Sequence, residues 1–311
     1  MTTGELLRKI TKIPISITGL SRELLAGGFS SVFKGQGMEF DEIRHYQYGD
    51  DIRTIDWNTS ARFGTPYVKM YREEKDLTIM ILLDVSGSMK RSNFIRYALQ
   101  EPRERKEEIN PFEQGLLASA MIAFSAERTG QRVGAVFFDR DIERVFPPRR
   151  GPRHIMTFLT SALAYLNAGD RQGKSGSNIA CALTAAGRML KRRSLIVLIS
   201  DFYSVNWELE LTDMCARHDC VVIRISDPAE TKISDVGLVC MEDPETGLRI
   251  EVPSGAPSFQ EAWINWHKQR ASSWAGLCKK CGAAGMELPV TADPASELQK
   301  FFGSRSARKR A

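Results

Sequence analysis

No stretch of this sequence is apolar for long enough to cross a bilayer: the longest nearly apolar run, "GLLASAMIAFSA", falls well short of the roughly 20 residues a spanning helix needs. "MTTGELLRKI" has no apolar signal-peptide core, so a cytosolic protein is expected. Cysteine is scarce. Six in 311 residues are too sparse for a disulfide scaffold, and free thiols in a reducing compartment are expected. Cys278 and Cys281 form a lone CxxC with no second half, which reads as two free thiols before Gly282 rather than zinc ligands or a redox pair. The four histidines, His45, His154, His218 and His267, are scattered and suggest no nucleophile–base arrangement. Zinc-finger spacing and aromatic-rich RNA signatures are both missing, and a net charge of +5 is modest. Its densest basic run, "SRSARKRA" (304–311), reads as a solvated, disordered tail.

What is present describes a soluble chain with a substantial core, 42% hydrophobic and 26% charged. From residue 77 onward, short β-branched runs stand out: "LTIMILL" (77–83), "VGAVFF" (133–138), "LIVLI" (195–199) and "VVIRI" (221–225). They have the length and continuity of strands buried on both faces. Helical patterns separate them. The helix opening at "NPFEQ" has Asn110 as N-cap, Pro111 in the first turn and Glu113 to close a capping box, with Leu117, Met121 and Phe124 facing the core. Further helices are expected over "RHIMTFLTSALAYL" and "NIACALTAAGRML". This alternation predicts an α/β fold, a doubly wound, mostly parallel sheet flanked by helices over residues 77–303, because parallel neighbours are reached only by crossing a sheet face. Near the C-terminus a helix with a capping box from Ser258 to Glu261 would bury Phe259, Trp263 and Trp266, followed by a strand at 286–290 and a helix at 294–302. Residues 1–76 differ: dense in charges and aromatics, with turn signals at "YGDD" and "FGTP", they read as an extended or β-rich lead-in.

The chemistry-bearing stretch is "DVSGSMK" (84–90), which sets Asp84, Ser86 and Ser88 at the carboxyl end of the first core strand. Loops at the carboxyl ends of parallel strands line the ligand crevice of an open sheet. "LIVLI" ends in Ser200 and Asp201, bringing a second carboxylate to the same edge if the strands are neighbours, and "GKSGSN" adds a third polar loop. Two carboxylates about 5 Å apart repel by roughly 3 kcal/mol at an effective dielectric near 20. A divalent cation relieves this. Oxygen-only donors suit a hard ion, Mg²⁺ or Mn²⁺.

"DVSGSM" after an apolar strand resembles the DxSxS motif of von Willebrand factor A-type domains, whose metal-ion-dependent adhesion site also draws on a hydroxyl from a Thr loop and an Asp after a later strand. On that resemblance Asp84, Ser86, Ser88 and Asp201 are metal-site residues; Ser177 supplies the loop hydroxyl, with Asn178 replacing the usual Asp. The upstream block "GMEFDEIRHYQYGDDIRTIDWNTSARFGTPYVKMYREE" narrows the match. Through Glu39, Arg44, Tyr46, Gly49, Asp50, Asp51, Arg53, Ile55, Asp56, Trp57, Ser60, Ala61 and Arg62 it resembles the signature of the bacterial domain of unknown function 58 family. Members resemble subunits that work beside MoxR-type AAA+ ATPases in chaperone-like protein maturation or metal insertion. The resemblance thus implies a non-enzymatic, metal-dependent adaptor whose partner is such an ATPase or its client, binding through a carboxylate that completes the metal shell. The charged excursion at 90–110, longer than in relatives, is either a solvated surface or a docking element. The competing enzyme reading is a haloacid dehalogenase-like phosphotransferase, whose DxDx[TV] pattern requires an acid where Ser86 stands.

Overall fold

Sequence periodicity changes character at residue 77, and so does the architecture. The computed structural model describes residues 38–73, 77–90, 110–167, 176–228, 237–242 and 249–310, with Arg8 and Asp235. The chain divides into two compact units, the smaller over Gly28–Asp76.

In the smaller unit, β1 (Met38–His45) pairs antiparallel with β2 (Tyr67–Glu73), and a single 3₁₀ turn at Ile52–Thr54 and a short helix α1 (Trp57–Phe63) lie between them. The β-rich texture was expected; α1 was not. Polar residues of the signature block fix this segment by satisfying backbone donors. Arg44 pairs with Asp50 at 2.7 Å, and Asp50 accepts from the Gln47 amide at 2.8 Å, closing a turn in which Gly49 takes φ +107°. Asp51 caps the 3₁₀ turn, and Asp56 caps α1 by accepting from the amides of Asn58 and Thr59. Ser60 Oγ donates to the Asp56 carbonyl at 2.7 Å and accepts from the Tyr67 amide at 2.8 Å, tying α1 to β2.

The larger unit runs β3 (Thr78–Asp84), the single-turn α2 (Gly87–Lys90), α3 (Pro111–Glu127), β4 (Arg132–Phe138), β5 (Ile142–Arg149), α4 (Pro152–Asn167), α5 (Ile179–Met189), β6 (Leu195–Ser200), α6 (Glu208–Arg217) and β7 (Asp219–Ser226). A hairpin of β8 (Leu238–Glu242) and β9 (Arg249–Pro253) follows, then α7 (Pro257–Cys281), β10 (Ala284–Pro289) and α8 (Pro294–Arg310). The main sheet has the order β10-β7-β6-β3-β4-β5, all parallel except β5, which returns antiparallel beside β4. This is the doubly wound, mostly parallel sheet that the alternation predicted. The added edge strand carries Pro147 and Pro148, which lack amide donors and are tolerated only at an edge.

β3 lies at the centre, buried on both faces from Ile79 to Asp84. Its even-numbered residues Met80 and Leu82 join a core with Ile179, Leu183, Leu211 and Trp274 from α5, α6 and α7. On the opposite face α3 approaches closely: a Cβ added to Gly115 would stand 3.1 Å from Ile199 Cγ2 and 3.4 Å from Leu83 Cδ1. The Asn110–Glu113 capping box forms as predicted, and Gln114 Nε2 donates to the carbonyls of Pro289 and Ala292, fastening α3 to the end of β10.

Three expectations need correction. α7 starts at Pro257 with Ala256 before it and no side-chain cap, because proline at the first helical position already sets φ; the Ser258–Glu261 box is not its start. Trp266 is 46% exposed, whereas Trp274 is the buried tryptophan of α7, since the C-terminal half of α7 joins the sheet core while Phe259 and Trp263 pack on Met241 and Val252 of the hairpin. The basic run expected as a disordered tail continues α8 to Arg310, with Arg305 paired to Asp219 at 2.5 Å. Of the 90–110 excursion, residues 91–109 lie outside the described residues. All six cysteines are free.

Gly115 sets the distance between α3 and the sheet. Gly115→Val forces a branched side chain into Ile199 and Leu83 and is expected to lose about 1–3 kcal/mol of stability. Urea unfolding would check this, with a lowered midpoint and an unchanged slope.

Candidate functional site

In an open α/β sheet the crevice forms where successive connections depart in opposite directions. Here that place lies between β3 and β6: the chain leaves β3 toward β4 and leaves β6 toward β7. Leu83 pairs with Ile199, so Asp84 and Ser200 end their strands at the same level.

Asp84 has no exposed surface. Its Oδ1 accepts from the Ser86 amide at 2.9 Å, an Asx turn that bends the chain out of β3 into α2. Its Oδ2 accepts from Ser177 Oγ at 2.7 Å and Ser200 Oγ at 2.6 Å. Ser86 Oγ and Ser88 Oγ stand 3.1 Å apart. The Ser88 hydroxyl favours the charged form of the Asp201 carboxylate, whose Oδ1 accepts from the Tyr203 amide at 3.1 Å. Hydrogen bonds thus join Asp84, Ser86, Ser88 and Ser177, with the Asp201 carboxylate beside them. Among the described residues, no group of three or more His, Cys, Asp or Glu side chains is arranged to hold a metal; this cluster has two carboxylates and its other oxygens are hydroxyls.

Burial and mutual repulsion dominate the electrostatics. Desolvation, then the Asp201 charge, pushes the Asp84 carboxyl up to about 6 against the pull of Ser200, Ser86 and Ser177. Asp201 is also raised by desolvation, opposed by Ser88, the Tyr203 amide, Arg270 and Arg224. The negative field extends outward: burial first, then Asp141, Asp139 and Asp84, lifts the Cys181 thiol to about 11.

Several participants were given no role in the sequence reading of the site. Ser200 is one of the two hydroxyls on Asp84; its signal was its place at the last position of a buried strand beside Asp201. Asp139 follows β4 at the same edge, and its carbonyl accepts from the Asn178 amide at 2.7 Å, anchoring the Ser177 loop. Ser204 Oγ donates to the Ser177 carbonyl at 2.6 Å, linking that loop to the one after β6. Asn178 caps α5 by accepting from the Cys181 amide at 3.1 Å. The loop after β6 is conformationally costly, with Phe202 and Asn206 at φ +58° and +60°. Phe202 is held there by packing on Trp207 and Trp274, at ring separations of 5.4 and 5.8 Å.

A family model, "Protein of unknown function DUF58", matches residues 42–272. The chain is 29% identical over 285 residues to the uncharacterized protein Rv1480 of Mycobacterium tuberculosis, spanning 91% of this chain and 84% of that one. The uncharacterized protein Mb1516 of Mycobacterium bovis matches to the same extent. Among solved structures, the conserved hypothetical protein BatB from Bacteroides thetaiotaomicron is similar with a TM-score of 0.41 and 13% identity, over 75% of this chain and 99% of that one. The SpRpn10 VWA domain is similar with a TM-score of 0.37 and 13% identity, over 71% and 93%. Among the described residues, no helix is long and apolar enough to cross a membrane.

The shifts make stability depend on pH in opposite senses. Asp84 rises from 3.8 to about 6 on folding, so its contribution is complete below pH 4 and is lost as pH rises through 6, by up to about 3 kcal/mol without bound cation. His267, pushed down to about 4 by burial, then Arg270 and Arg224, contributes above its ordinary 6.5 and loses that contribution as pH falls toward 4. His267→Gln removes the second effect. In chelator-containing buffer the variant's melting temperature is expected to decline steadily from pH 4 to 7, while the wild type stays flatter.

Proposed function

The chain belongs to the family described as protein of unknown function DUF58, and from that premise we propose that its larger unit is a non-enzymatic, metal-dependent protein-binding adaptor. The observation carrying this reading is the buried pair Asp84 and Asp201 with the hydroxyls of Ser86, Ser88 and Ser177 around it at the carboxyl edge of the sheet. Two carboxylates that burial drives toward protonation gain from a counter-charge. Every available donor is oxygen, and several are neutral, which fits Mg²⁺ or Mn²⁺. Ser86, Ser88 and Ser177 would hold the ion, with Asp84 and Asp201 acting directly or through water. When bound, the ion supplies an open position for an external carboxylate.

The chain's own residues do the rest. The Asx turn at Ser86 orients both hydroxyls of the first loop, and the Ser204 and Asp139 contacts orient Ser177. The carboxylate donor is read as a side chain of a protein partner. The family resemblance favours a MoxR-type AAA+ ATPase or its client, so that any ATP hydrolysis belongs to the partner. The phosphotransferase reading gains no support here: a hydroxyl stands at Ser86 in place of the acid, and Asp84 is fully buried with both oxygens hydrogen-bonded.

Calorimetric titration with Mg²⁺ and Mn²⁺ tests the site. Wild type should bind one ion, and Asp84→Ala, shown folded by circular dichroism, should bind none; identical isotherms would reject the metal assignment. Capture of a MoxR-type ATPase by the immobilised chain tests the partner, with recovery expected in Mg²⁺ and loss in chelator.

A further inference from the structure

The loop from Asp201 to Asn206 carries the second carboxylate, yet its backbone enters the left-handed region at Phe202 and Asn206, which L side chains rarely adopt. Such a conformation persists only where surrounding contacts over-determine it. Some of those contacts are local: the Phe202 amide donates to Ser200 Oγ at 3.0 Å, and Trp207 Nε1 donates to the Ser204 carbonyl at 3.0 Å. One comes from far along the chain. Arg270, in the middle of α7, donates from Nη2 to the Asp201 main-chain carbonyl at 2.8 Å. Its guanidinium carbon lies 3.3 Å from the centroid of the Tyr203 ring and 5.4 Å from that of Trp266. Nη1 is shielded from solvent with no hydrogen-bond partner among the described residues. The guanidinium thus grips both the carbonyl and the aromatic ring on either side of Phe202, using the planarity that distinguishes arginine from lysine.

We propose that Arg270 is a positioning residue for the Asp84–Asp201 site: by clamping the Asp201 carbonyl and the Tyr203 ring it holds the loop in the conformation that presents the Asp201 carboxylate. The inference rests on the cation-binding reading above for its consequence, though not for its geometry. A purely electrostatic role predicts the opposite. A nearby positive charge repels an incoming cation, so removing it would strengthen binding, and lysine, which keeps the charge, would behave as wild type. Positioning requires the planar fork, so Arg270→Lys and Arg270→Met both weaken binding. Tyr203→Leu, which deletes the stacking surface, should do the same without altering any formal charge.

Two measurements decide this. In calorimetry with Mn²⁺, Arg270→Lys and Arg270→Met are expected to lose about 10- to 100-fold in affinity, the range found when outer contacts of a metal site are removed. In hydrogen–deuterium exchange on the metal-free protein, the Phe202 and Tyr203 amides should exchange faster in Arg270→Lys, while amides of β3 and β6 keep wild-type protection and so report an intact fold. Unchanged affinity in Arg270→Lys, tighter binding by Arg270→Met, or unchanged exchange at Phe202 and Tyr203 would overturn the proposal. If wild type binds neither Mn²⁺ nor Mg²⁺, the cation reading fails, and faster exchange in Arg270→Lys still supports the clamp.

Discussion

Burying two like-charged carboxylates at the ends of adjacent central strands is the constraint on which the rest of this structure turns. β3 and β6 are adjacent central strands buried along almost their whole length, and their parallel register ends them at one level. Asp84 and Asp201 are therefore neighbours by topology, in a place where water cannot screen them. The fold answers with donors. Three bonds reach Asp84, from the Ser86 amide and the hydroxyls of Ser177 and Ser200, while Ser88 and the Tyr203 amide serve Asp201. Both carboxyls remain raised, so the donors do not fully offset desolvation and repulsion. That residual imbalance is what the proposed cation would relieve.

Loop geometry around the pair follows from the same demand. An Asx turn brings Ser86 back over Asp84, and the chain enters α2 at once, so both motif hydroxyls stay close to the strand end. The Ser177 loop is fixed from two sides, by the Asp139 carbonyl and by Ser204. After β6 the backbone bends through φ +58° at Phe202, whose ring packs on Trp207 and Trp274, while Arg270 bonds the Asp201 carbonyl and lies over the Tyr203 ring. Elements far apart in the chain thus converge on a small polar patch, with aromatic packing supplying the rigidity that hydroxyl bonds alone would not.

The smaller unit shows the same economy with polar groups. Charged residues of its signature block are spent on closing turns and capping short helices. Asp50, Asp51 and Asp56 each accept from backbone amides, and Arg44 pairs with Asp50. The density of charge between β1 and β2 is therefore a consequence of how many backbone donors a short, turn-rich segment leaves without strand or helix partners. Its large exposed side chains, Tyr48, Ile52, Trp57 and Phe63, are not explained by this internal bonding.

Sequence by itself determined the central strands, the helices α3, α4 and α5 that cover them and the placing of Asp84, Ser86, Ser88 and Asp201 at strand ends, because period and burial are written into short aliphatic runs and capping residues; α6 was not among its readings. It did not reveal β5, whose prolines obscure strand character until an edge position excuses them, or the hairpin β8–β9, whose apolar residues are too few to signal. The helical course of 304–310 was equally hidden, since a run of arginines and lysines reads as solvated until Asp219, 86 residues earlier, is placed beside Arg305. Only tertiary structure decided that Ser200 shares Asp84 with Ser177, that Asp139 and Ser204 anchor the Ser177 loop, and that Arg270 reaches Asp201. Each of these is a contact between residues that no local period connects, made only when the strands have settled into the order β10-β7-β6-β3-β4-β5.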